Sequence, residues 1–156
     1  METLRIPKHR VSAEVRLAGG AVRRVALFLA EAALDHAGPE RPSDVLNDRH
    51  EFLPAFDEDA QTMTFLHRGA IALLRVPASA EATDPEDLTL PTEHEVEVHL
   101  ADGAQLAGLV SYLRPPDRSR LLDFLNEPAP FFALIEGDQV ALIGKRHVAR
   151  VALVAR

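Results

Sequence analysis

The chain has 156 residues, 47% of them apolar, 26% charged and 5% aromatic, enough apolar side chain to close a core in one or two small domains. With no cysteine it can hold no disulfide, thiolate nucleophile or sulfur-ligated zinc. Its net charge of −7 argues against a phosphate-neutralising surface, yet residues 77–93 carry five acids and no base, against 10 bases and 11 acids in residues 1–76 and 7 and 8 in residues 94–156.

In chain order, Val15-Arg-Leu17 alternates apolar and polar, the period of a half-buried strand, and runs into Ala-Gly-Gly-Ala, a hairpin turn signal. A second strand is expected over residues 22–32, although Val22, Val25, Phe28, Leu29 and Ala33 also have the spacing of a helix. A polar connection with prolines, residues 38–42, leads to Asp44-Val-Leu-Asn47. Residues 52–57, 62–67 and 70–76 supply a third, fourth and fifth strand. Residues 77–93, with three prolines and like charges, read as a solvated linker. Beyond it the series returns: strands at residues 96–100 and 105–113, a connection at residues 114–117, Asp123-Phe-Leu-Asn126, and strands at residues 131–136, 139–144 and 148–154.

The two series align. Val15 and Leu17 fall on Val98 and Leu100, and Gly20 on Gly103, at a shift of 83. Asp44 and Asn47 fall on Asp123 and Asn126, and Phe52 on Phe131, at a shift of 79; residues 65–71 fall on residues 142–148 at a shift of 77. A falling shift is what shorter loops in the second copy would give, so the chain reads as an internal duplication. The copy Leu106-Ala-Gly-Leu-Val-Ser-Tyr112, with its glycine, valine and tyrosine, decides residues 22–32 in favour of a strand. The expected units are residues 1–76 and 94–156. Neither buries much surface alone, so docking of the copies or oligomer formation is expected.

Val96-Glu-Val-His-Leu-Ala-Asp-Gly-Ala-Gln-Leu-Ala-Gly108 resembles the first two strands of the Sm-like family of Sm, Lsm and Hfq proteins, where V-x-V-x-L is followed by a turn glycine and then a glycine at a bend. Leu142-Ile-Gly-Lys-Arg-His-Val148 is similar to that family's closing hairpin. The resemblance covers most of both copies as a pattern of residue types. It departs from the family in the long proline-rich connection after the second strand and in Val25, which stands where the bend glycine would be. It implies a mostly β protein: two tandem five-stranded Sm-like (SH3-like) small barrels with short helical turns. It also implies self-association, because Sm-like copies pair the fourth strand of one with the fifth of the next. In a tandem chain one such junction can form internally, leaving edge strands for further copies or a protein partner.

The resemblance bears on candidate site residues as well. Asn47 and Asn126 stand where a loop Asn reads a base edge in Sm-like proteins; the local alternative is that Asp44 and Asp123 cap a helical turn, Leu46 and Leu125 plug the core, and each Asn ends the turn in the left-handed conformation. His67-Arg68 and Lys145-Arg146-His147 lie on the closing hairpins, where the family places an RNA-contacting Arg; the alternative is a solvated turn. RNA or nucleotide binding through Asn47, His67, Arg68, Asn126, Lys145 and Arg146 is therefore the second functional expectation. Scarce aromatics weigh against it: there is no Trp, one Tyr, and seven Phe expected mostly at core-facing strand positions. The seven histidines form no HxH or HExxH pattern, and His94 and His99 face opposite sides of a strand, so no metal site is expected. No nucleophile elbow, phosphate loop or dinucleotide fingerprint occurs, so no catalytic residue or cofactor is expected either. The first expectation is a non-enzymatic assembly or interaction protein. No apolar run nears the roughly 20 residues of a membrane span, and the opening residues lack the apolar stretch of a secretory signal; a cytoplasmic protein without a membrane partner is expected.

Overall fold

The structure, a computed structural model, describes residues 8–34, 36, 38–82, 91–113 and 120–154. The first half contributes β1 (Lys8–Leu17), β2 (Val22–Ala30), α1 (Pro42–Leu46), β3 (Phe52–Asp57), β4 (Thr62–His67) and β5 (Ile71–Pro77). The second contributes β6 (Thr92–Leu100), β7 (Gln105–Tyr112), α2 (Leu121–Leu125), β8 (Phe131–Glu136), β9 (Gln139–Gly144) and β10 (Val148–Leu153). Short 3-10 turns at Arg68–Ala70 and Lys145–His147 precede the last strand of each half. Residues 22–30 are strand and not helix, since the face Val25, Leu27 and Leu29 points into the core at period two while polar Arg23 and Arg24 sit near the open end. Gly20 and Gly103, at φ 99° and 96°, make the tight turns that lead out of β1 and β6.

The strands form a single antiparallel sheet in the order β10-β6-β7-β8-β9-β5-β1-β2-β3-β4. Each half runs fifth strand, first, second, third, fourth, so the halves repeat one topology. They are joined by β5 and β9, in the register Leu73 with Ile143, Leu74 with Leu142, Arg75 with Ala141 and Val76 with Val140. Among the described residues β4 and β10 each pair on one side only, and the sheet is not closed.

This junction explains a feature of the sequence that alternation does not. Strands buried on both faces read as continuous apolar runs, and Phe131-Phe-Ala-Leu-Ile135, Val140-Ala-Leu-Ile143 and Ile71-Ala-Leu-Leu74 are such runs. One face of β8 and β9, with Phe131, Val140 and Leu142, joins the core of the first half around Val15, Leu27, Leu46, Leu53 and Leu74. Their other face, with Phe132, Leu134, Ala141 and Ile143, joins the core of the second half around Val96, Val98 and Val110. Gly108 lets the β8 backbone approach: a Cβ there would collide with the Ile135 carbonyl oxygen.

Several expectations are corrected. The linker is narrower than residues 77–93, because β5 runs through Pro77, Ala78–Glu81 forms a 3-10 turn and β6 begins at Thr92. The rest of it, residues 83–90, and the connection at residues 114–117 lie outside the described residues. Asn47 and Asn126 do not adopt the left-handed conformation; they sit at φ −92° and ψ near zero, ending the helical turn without a positive φ. Asp44 does cap the turn, as expected, from the third helical position, reaching back to accept the Arg41 N–H at 2.7 Å. Finally, Phe52 and Phe65 are not in the core: they are 56% and 67% exposed, because the inward face of the β3–β4 hairpin is made by Leu53, Ala55 and Leu66, with Asp57 buried at its end.

Candidate functional site

Where the halves meet, the two 3-10 turns come together over the end of β5. His147 lies with Nε2 2.7 Å from the Gly69 carbonyl oxygen. The Arg146 guanidinium covers Gly69, where an added Cβ would lie 2.5 Å from Nη1. Between these turns and the segment after α1 opens a cleft of about 420 Å³, floored by Ile71 and Phe131 and walled by His67, Arg68, Lys145 and Arg146, with Asp48, Arg49, His50 and Glu51 along its other side. Four of the six sequence-predicted site residues therefore share one cleft. Asn47 precedes its wall and does not line it; Asn126 lies in the second half and does not reach it.

Most of these groups are engaged in holding the fold. Arg68 is buried, 9% exposed, and donates from Nη2 to the Val45 carbonyl oxygen at the end of α1, 2.9 Å away. Burial lowers its pKa from the ordinary arginine value, with Asp48 opposing that shift. Its Nε is buried and has no hydrogen-bond partner among the described residues. Lys145 donates from Nζ to the Glu127 carbonyl oxygen at 2.7 Å and is likewise pushed below the ordinary lysine range by burial. His67 accepts the Gly69 N–H on Nδ1 and meets the Phe52 ring edge-on at 4.9 Å. Asn47 accepts the Phe131 N–H on Oδ1 at 3.0 Å, so the first half's asparagine clasps the first residue of the second half's third strand.

The junction also holds charges that sequence reasoning missed. Arg75 on β5 donates to Glu14 of β1 at 2.9 Å and to both carboxylate oxygens of Glu136 of β8 at 2.8 and 3.3 Å. Its pKa is raised first by the hydrogen bond to Glu136. Arg16 reaches Asp102, in the turn between β6 and β7, at 2.8 Å. The Ala104 N–H, then Arg16, holds the Asp102 carboxyl below the usual carboxylate range. The only hint in the sequence was Arg75, a lone charge within the apolar run of residues 71–76; its partners lie 61 residues away on either side.

No family model, curated protein or solved structure matches the chain.

Proposed function

We propose that this is a non-enzymatic assembly protein, a duplicated Sm-like module whose free edges β4 and β10 pair between chains. The observation that carries the reading is the junction inside the chain: the fourth strand of the second half pairs with the fifth strand of the first. The strands left at the sheet ends are the fourth of the first half and the fifth of the second, the same two kinds of edge. A contact between unlike edges is heterologous, and its repetition makes a ring or an open chain of copies. The Val154 N–H donates to the Glu95 carbonyl oxygen, so by alternation the Leu153 N–H points away from β6, toward an incoming strand. Light scattering on the eluting full chain should then give a mass above 17.1 kDa that grows with concentration. Leu153→Pro, which removes an outward donor without touching the β6 ladder, should return it to a monomer. A wild-type monomer at every concentration would end this reading.

The cleft supports a second reading, binding of RNA or a nucleotide, because it gathers cationic side chains from both closing hairpins and leaves the buried Arg68 Nε without a partner among the described residues. Labelled single-stranded RNA titrated at two salt concentrations tests it: binding that weakens with salt and falls with Arg146→Ala supports it, and no binding at low salt removes it. Arg68→Ala would be a poor probe, since Arg68 supports α1.

A further inference from the structure

We propose that the bare apolar face of the β3–β4 hairpin of one chain seats on the α2 side of the second half of another copy, with Asn126 Oδ1 accepting the N–H of that copy's Phe52. The inference rests on the edge-pairing reading and adds to it which faces meet and which residue fastens them.

The template is the junction within the chain. There the β8–β9 hairpin lays Phe131, Val140 and Leu142 over the first half, and Leu46, Leu74 and Val76 beneath are fully buried. Among the described residues nothing covers the corresponding face of the β3–β4 hairpin: Phe52, Met63 and Phe65 are 56%, 50% and 67% exposed. The receiving positions of the second half are correspondingly uncovered. Leu125 and Val151, counterparts of Leu46 and Leu74, are only half-buried, and Leu153, counterpart of Val76, is 62% exposed. α1 buries Pro42 and Leu46, whereas α2 buries no residue fully. An apolar hairpin without a seat and an apolar seat without a hairpin thus lie at opposite ends of one sheet.

The fastening follows from the duplicated asparagine. Asn126 ends α2 with the backbone geometry of Asn47, φ −92° and ψ 7° against −92° and 3°; the Asn126 and Glu127 N–H groups donate to the Leu122 and Phe124 carbonyls as those of Asn47 and Asp48 do to Ser43 and Val45. Asn47 clasps Phe131, and Phe52 holds the place of Phe131 in the first half. Carrying the internal register across sets Val151 opposite Phe65 and Leu153 opposite Met63 of the neighbour. Position 152 is Ala where the internal junction has Arg75, so the ion triad is not repeated and the contact between chains is weaker than the one within them.

The test is sedimentation equilibrium of the full chain with three variants of exposed or half-exposed positions, folding being checked by circular dichroism. Phe65→Lys and Met63→Lys should each leave a monomer, and Asn126→Ala should weaken association by about tenfold, the worth of one hydrogen bond. A 1:1 mixture supplies the decisive arm. Phe65→Lys keeps a working seat and Leu153→Pro keeps a working hairpin, so two monomeric variants should form a heterodimer that grows no further. If Leu153→Pro abolishes association while Phe65→Lys, Met63→Lys and Asn126→Ala leave it unchanged, edges pair but these faces do not meet, and the inference falls alone. A mixture that stays monomeric overturns it as well. A wild-type monomer removes both this inference and the reading beneath it.

Discussion

Leu46 and Leu125 offer an internal comparison, the same residue at the same place in α1 and α2, one fully buried and one half-buried. Leu46 is enclosed because β8 and β9 cover it with Phe131 and Leu142. Truncating it to Ala removes the full transfer free energy and leaves a cavity, about 3–5 kcal/mol. Leu125 has already left part of its surface in water, so Leu125→Ala should cost only about 1–2 kcal/mol. A chain of this length loses roughly 2–4 °C in Tm per kcal/mol, so the two variants should differ by several degrees. Urea unfolding at a concentration low enough to hold the monomer reads the difference directly. Equal losses would mean that the β8–β9 hairpin does not cover the first half. If a neighbouring hairpin seats over α2 at high concentration, as proposed, the cost of Leu125→Ala should rise there toward that of Leu46→Ala.

Gly144→Ala should destabilise by about 1–3 kcal/mol, because the new Cβ would stand 2.6 Å from the Ile71 carbonyl oxygen, backbone against backbone at the junction; an unchanged unfolding midpoint would contradict the close approach of β9 to β5. Arg75→Met should lower stability by about 1–3 kcal/mol by leaving the Glu14 and Glu136 carboxylates unpaired, and the loss should shrink in a Glu14→Gln, Glu136→Gln background, as a double-mutant cycle would show. Glu81 accepts the Ser43 N–H at the start of α1, and burial raises its carboxyl above the ordinary glutamate value of 4.5. The folded state therefore holds that proton more tightly than the unfolded state, and the stability from this group, complete below the ordinary value, is lost as pH rises through the raised one. Glu81→Gln should match the wild type near pH 4 and equal or exceed it near pH 7 in urea titrations; a variant weaker at pH 7 reverses the sign. Asp57, held below the ordinary aspartate value first by the Ala60 N–H and then by Arg23, acts the other way, its contribution disappearing as pH falls below the usual carboxylate range.

The repeat made most of the strand order legible. β3, β4, β8 and β9 have the bounds read from the sequence, because glycine, proline or charge marks their ends. β1 is longer than the alternation around Val15 suggests: it begins at Lys8, where Lys-His-Arg conceals an alternation that continues down from Val15, since only its inner half meets the core. The asparagines were harder. Their spacing was visible, but spacing cannot tell a base-reading amide from one that accepts a main-chain N–H 84 residues away. For Phe52 and Phe65 the residue type itself misled, because a phenylalanine in a strand looks like core whether its face is covered or bare. Arg68 was legible as a basic turn residue and not as a buried support for α1, since burial depends on the cleft that only the joined halves create.

The most direct measurement is amide hydrogen exchange, followed residue by residue, in dilute and in concentrated solution. Edge pairing between copies predicts that the outward N–H groups of Val151 and Leu153 exchange rapidly when dilute and slow markedly when concentrated, while amides joining β5 to β9 are protected throughout. Edge amides that exchange at one rate at both concentrations, or a β5–β9 junction no better protected than the edges, would contradict it.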